Sequence, residues 1–345
     1  MGGTENRRKL RFSFAAFDME SKMRSSRLGV FVLILVTVVS STGCGYFNRI
    51  LSRKNLVDGS VAYRERNFAE AEDMFRRAAA RDPEGETLEG RTAQVFLART
   101  LHSQYIGNRT DKSKAEEAIE AYKKALAVDK NDQSSYKAVA SLLNDLQRTD
   151  EWQQWVTERA NRTDIEPQYR AEAITSLAAR KNTCANEITD TDKAKQTVKK
   201  DGKEVYQWVK PEDPAQLETL RACVTDGLQL IDQAVALEPA EVKNAKNLDL
   251  KSLSDQQLKQ YLDLFKVFES VRSYKASLDS QAMRLADMEG RAADRDGLKQ
   301  QADNGRQAFL ELSAVDKAIQ DEMDARAAAE EAAENANANG NTSGR

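Results

Sequence analysis

One spacing recurs three times in this 345-residue chain: a small residue, a bulky one four positions later, and a second small one three beyond that. It reads Ala71, Phe75, Ala78, then Ala118, Tyr122, Ala125, then Gly227, Ile231, Ala234. Offsets of three, four and seven put all three side chains on one face of an α-helix. Small residues in such a stripe let a second helix approach closely. A chain built this way buries itself by stacking helices. Five prolines and 7% aromatic residues point away from a sandwich, a barrel or a collagen-like chain. With 40% hydrophobic residues there is material for a large core.

The first stripe lies in an amphipathic run from Asn67 to Asp82-Pro83, preceded by a short helix holding Gly59, Ala62 and Tyr63. The pattern Ala71, Phe75, Ala78 and Pro83, supported by Gly59 and Phe68, resembles the tetratricopeptide repeat. The second copy, in KAEEAIEAYKKALAVDKND, has Lys130 where the proline would stand, and the third, GLQLIDQAVALEP, ends at Pro239. From Ala71 to Ala118 is 47 residues and from Ala118 to Gly227 is 109, so the copies depart from the family's period of about 34. The resemblance implies an all-α, right-handed superhelix of helix pairs. Its concave face would be lined by the first helix of each pair and would bind a peptide or protein. On the first pair this makes Leu56, Ser60, Tyr63 and Arg64 the candidate groove residues.

The longer intervals hold further helices. The pattern predicts a long helix over Glu89–Tyr105 with a loop from Ile106 to Ser113, then helices over Ser134–Leu146 and Glu151–Asn161, with Trp152 and Trp155 read as core. Another helix begins over Tyr169–Arg180. Alternating residues around Asp201-Gly202 predict a β-hairpin over about 195–210. An isolated ribbon is marginal, so Trp208 or Tyr206 is expected to pack on the helices. Pro211 and Pro214 stop the ribbon before a helix over Ala215–Leu237. After a polar stretch, 240–254, come helices over Asp255–Met288 and Ala292–Ala328, with breaks expected near Phe268 and Val315. The helical domain is thus 55–325. The tail, 326–345, lacks large apolar residues and is expected to be disordered.

The start of the chain has a different character. Leu28 to Val39 is apolar apart from one Gly and one Thr, with basic residues before it and Ser40, Ser41, Thr42 and Gly43 after it. As a helix it would reach roughly 18 Å, short of a bilayer core of about 30 Å. The layout is that of a secretory signal. With Cys44 directly behind the small residues, it resembles a bacterial lipoprotein signal whose lipobox is Ser41-Thr42-Gly43-Cys44, Ser41 standing where an apolar residue is usual. The resemblance implies a leader over 1–43 (or from Met23), cleavage before Cys44, and acyl chains on that cysteine. A soluble secreted form and an uncleaved span are the alternatives. Residues 44–54 would be a lipid-anchored linker. Gly45 rather than Asp after the cysteine favours the outer over the inner membrane, the domain facing the periplasm.

The leader carries seven basic and three acidic residues, +4, which leaves −7 for the remainder of a chain whose total is −3. An acidic body gives no electrostatic reason to bind nucleic acid. Cys184 and Cys223 bracket the hairpin and, in an exported chain, are a candidate disulfide; two unpaired buried thiols are the other reading. His102, the one histidine, reads as surface or core edge and excludes a His-rich metal site. No Walker A loop, GxSxG elbow, HExxH or EF-hand loop is present, so neither enzyme, metal nor cofactor is expected. The expected function is a non-enzymatic scaffold of the cell envelope, binding a protein or peptide in outer-membrane or pilus assembly. The alternative is a carrier binding a small molecule or glycan in the same groove; aromatic rings clustered there would favour it.

Overall fold

The computed structural model describes residues 46–200 and 202–342. It is mostly helical, with one two-stranded antiparallel sheet. The chain divides into two compact units, the boundary falling between Val139 and Ala140 inside the fifth helix. Among the described residues, no helix is long and apolar enough to cross a membrane. The apolar run Leu28–Val39 and Cys44 lie outside the described residues.

The first unit begins with α1, residues 46–64, followed by α2 (Phe68–Ala79), α3 (Leu88–Gly107) and α4 (Lys112–Val128), and ends in α5 (Gln133–Asp145). The turn between α1 and α2 places Arg66 at φ 62°, in the left-handed region. The stripe Ala71, Phe75 and Ala78 is fully buried, as are Ala118 and Ala98 on the following helices. Gly59 is required by contact: a Cβ there would lie 2.8 Å from Cε1 of Phe75. The connection from α2 to α3 is closed by Asp82, whose carboxylate accepts from the Thr87 backbone N–H at 2.8 Å and the Thr87 hydroxyl at 2.7 Å. Thr87 then caps α3, accepting from Gly90 N–H. Burial pushes the Asp82 carboxyl up, but the hydrogen bonds from Thr87, Glu86 and Gly85 outweigh it and hold it below its ordinary value.

Residues 46–54, expected as a linker, are instead helical and continuous with the rest of α1. Ser52 is buried and donates to the Ala78 carbonyl at 3.3 Å, while Arg49 and Arg53 each reach Glu89 at 3.0 Å. Those partners lie 26 to 40 residues away in sequence, which is why local patterning did not reveal them.

The second unit contains α6 (Thr149–Asn161), α7 (Pro167–Thr189), the hairpin β1 (Lys195–Lys200) and β2 (Lys203–Trp208), α8 (Pro214–Val235), a short α9 (Ala240–Lys243), α10 (Asp255–Met288) and α11 (Ala292–Thr342). The strands pair from Lys195 with Trp208 to Lys200 with Lys203, and Gly202 takes φ 77° in the turn. Pro167 and Pro214 open α7 and α8, where a missing N–H costs nothing. A capping box of Ser254 and Gln257 opens α10. Gly290, at φ 72°, turns the chain into α11. Gly227 lets α8 meet α10, since a Cβ there would stand 2.6 Å from Cδ2 of Leu278.

Two further expectations are corrected. Helices α10 and α11 run unbroken through Phe268 and Val315. Each carries a long buried stripe and no proline, so nothing in either interrupts the backbone ladder. Of the tail expected to be disordered, residues 326–342 continue α11, and 343–345 lie outside the described residues. Residues 327–333 hold five alanines and two glutamates, all strong helix formers, and the helix extends there with its side chains exposed.

Candidate functional site

The residues expected to form the groove lie on α1. Leu56, Ser60 and Arg64 line one open depression of about 410 Å3, whose opposite wall is Leu88, Glu89 and Thr92 of α3. Helical spacing explains the grouping, because positions 53, 56, 57, 60 and 64 fall on one side of α1. Tyr63 faces elsewhere. Its ring meets Phe68 and Phe96 edge-on, at centroid distances of 5.4 and 6.4 Å, and its hydroxyl lies 3.0 Å from the Ser103 hydroxyl. It therefore packs with Leu56, Phe96 and Leu97 against the core cluster of Ala62, Ala71 and Phe75.

The floor of the depression is ionic at one end. Glu89 is only 4% exposed and receives the guanidinium groups of Arg49 and Arg53, both largely exposed. Burial raises the Glu89 carboxyl, but its own backbone N–H and the two arginines outweigh it and hold it below the ordinary value. Ser60 turns its hydroxyl back to the Leu56 carbonyl at 2.7 Å. The apolar part is aliphatic: Leu56, with Val57 and Leu88 exposed at 58% and 63%. A second depression of about 310 Å3 continues along α3 to the end of α4 and shares Leu88 and Thr92 with the first. Sequence reasoning missed Leu88, Thr92 and Val57. An apolar residue placed directly after a helix cap, as Leu88 follows Thr87, is the one signal that pointed there.

The other singled-out residues lie apart from this face. Cys184 on α7 and Cys223 on α8 are joined by a disulfide, their Cα atoms 6.2 Å apart. The bond sits beside an apolar cluster that includes Leu220, Val224, Ala282 and Leu285. The Trp208 side chain packs on that cluster, its backbone N–H donates to Asp287 at 2.9 Å, and the Arg284 guanidinium lies 5.2 Å from its ring centre. Tyr206 is exposed, with the Lys195 ammonium 4.4 Å from its ring centre. Trp152 is buried under the Arg180 guanidinium, 3.6 Å from the ring centre, and Trp155 is half-buried. His102 sits at the core edge, edge-on to Tyr122.

A third depression, of about 400 Å3, lies in the second unit among α8, α10 and α11. Its Arg272 pairs with Glu238, Lys275 with Asp279, and Lys246 with Glu311, at 2.6 to 2.8 Å. These side chains are committed to one another: Lys275 and Asp279 pair within α10, Asp232 of α8 lies 3.2 Å from the same ammonium, and Arg272 ties α10 to the end of the α8 segment. Among the described residues, no group of three His, Cys, Asp or Glu side chains is placed to hold a metal. No family model matches this chain, and no match was found among curated proteins.

Proposed function

We propose that this chain is a non-enzymatic scaffold of the bacterial cell envelope, with tetratricopeptide-like helix pairs and a lipid anchor at Cys44. It holds an extended peptide or protein segment across α1 and α3. The observation that carries the reading is the continuous open face on which two depressions share Leu88 and Thr92. That face offers aliphatic side chains beside Arg53, Arg64 and Glu89, a lining that suits alternating apolar and charged groups of a peptide. The depression between α1 and α3 is lined by no aromatic ring and its neighbour by one, Phe96, so the face offers no cluster of rings for a sugar to stack on, which favours peptide over glycan. The repeat reading is supported by the burial of its marker positions, Ala71, Phe75, Ala78, Ala118, Tyr122, Ala125, Ile231 and Ala234. The anchor reading is supported by the apolar run and the small residues before Cys44. The partner acts in outer-membrane or pilus assembly.

The test is site-specific photo-crosslinking in the native envelope. A photoreactive residue at Thr92 should capture one discrete protein, and Leu56→Arg should abolish the adduct. The same residue at Lys123 on α4 should capture none. Equal capture at both positions, or capture unaffected by Leu56→Arg, would count against the groove.

A further inference from the structure

We infer that the first turns of α1 rest in the lipid–water interface, with Tyr46, Phe47 and Ile50 at the headgroup boundary and Arg49 at lipid phosphates. The inference rests on the Cys44 anchor proposed above. Tyr46, Phe47 and Ile50 are exposed at 73%, 61% and 48%, within five residues of one another. Among the described residues of the first unit they remain largely open to solvent, and water is a poor solvent for three such side chains together. Their chemistry is that of the membrane boundary, where an aromatic body is apolar and a Tyr hydroxyl stays wet. The three basic residues beside them remain 55% to 71% exposed despite their pairs with Glu89 and Asp58. An anionic lipid surface attracts such a cluster.

Position decides the occupant. One residue, Gly45, separates Cys44 from Tyr46, so their Cα atoms are at most about 7.6 Å apart whatever path the chain takes. Acyl chains on Cys44 hold it at the interface and bring Tyr46 and Phe47 there with it. From Tyr46 the groove residue Val57 is about 17 Å along the helix axis, beyond the headgroup boundary in a steeply set helix. The contacts of Ser52 with Ala78 and of Arg49 and Arg53 with Glu89 fasten this helix to the unit. The groove is therefore held within a short, bounded distance of the bilayer.

The chain suits a thiol-probe test. With Cys44 acylated and Cys184 bonded to Cys223, one introduced cysteine is the sole reactive thiol. Full-length protein bearing Phe47→Cys, Val57→Cys or Lys123→Cys is extracted from membranes and labelled with an environment-sensitive nitrobenzoxadiazole. It is then reconstituted into phosphatidylethanolamine–phosphatidylglycerol vesicles. The probe at 47 should emit to the blue and be quenched by nitroxide-bearing lipids several-fold more than at 57 or 123. Quenching at 47 no greater than at 123 would overturn the inference. Blue emission at 47 without lipid quenching, the signature of a second copy or another protein on this face, would overturn it too. The intact mass of the same sample reports Cys44 acylation separately, so loss of the anchor and loss of the seat are told apart.

Discussion

Reducing the Cys184–Cys223 bond should destabilise the second unit by about 4 kcal/mol. The two cysteines are 39 residues apart, and closing a loop of that length removes roughly 13 cal/mol/K of entropy from the unfolded chain, about 4 kcal/mol at 25 °C. Cys223 is buried in the cluster of Leu220 and Val224, so a polar replacement would add a second penalty and confuse the result. Reductant on the native sequence, beside the double variant Cys184→Ala/Cys223→Ala, avoids this. For a unit of this size, 1 kcal/mol moves the thermal midpoint by about 2–4 °C, so a fall of roughly 8–16 °C is expected by circular dichroism. Loop length also predicts what should not matter. Trimming the tip of the ribbon, residues 198–205, changes the closure term by only about 0.2 kcal/mol. Oxidised and reduced proteins melting within a degree or two of each other would refute the reasoning. So would a trimmed ribbon that abolishes the effect of reductant.

Asp316 on α11 is buried, and burial first, then the neighbouring Glu269 carboxylate, raises its pKa to about 7, against a smaller opposing pull from Lys266. The folded state thus binds the proton more tightly than the unfolded one; this stabilisation is full below about pH 4 and is lost as pH rises through about 7. Asp316→Asn should flatten that dependence and stabilise at pH 8 by about 1–4 kcal/mol in urea melts, with an unchanged pH profile as the contrary result. Ala71→Leu forces a larger side chain into a fully buried position and should cost about 1–3 kcal/mol, whereas Ala329→Leu on the exposed end of α11 should leave the midpoint unmoved; equal effects would count against the helix packing. Glu89→Gln removes the partner of Arg49 and Arg53 and should loosen the start of α1, read as faster amide exchange at Ser52 and Arg53 with little change at Phe75.

The features visible in the sequence were those with local causes. The hairpin was legible because Asp201-Gly202 stands between alternating residues, and α8 because Pro211 and Pro214 mark its start. The repeat positions were legible because Ala and Gly at helical spacing leave room only for another helix, as Gly59 does against Phe75. What escaped depended on distant partners. The start of α1 is fixed by Ala78 and Glu89, which no local pattern reveals. Gly90 fell inside the helix expected over Glu89–Tyr105 without being singled out, yet a Cβ there would stand 2.1 Å from an Asp82 carboxylate oxygen. The groove was half legible. Helical spacing selected Leu56, Ser60 and Arg64, but Tyr63 belongs to the flank turned toward Phe96, and the opposite wall comes from α3.

Anchor, first helix and groove are joined by one claim, that the mature chain begins at Cys44 and carries acyl chains there. Intact-mass measurement of protein extracted from membranes tests it most directly. The account predicts a chain starting at Cys44 with the added mass of diacylglyceryl and N-acyl groups, and a precursor or soluble protein on Cys44→Ala. An unmodified chain whose first residue lies upstream of Arg24 would contradict it.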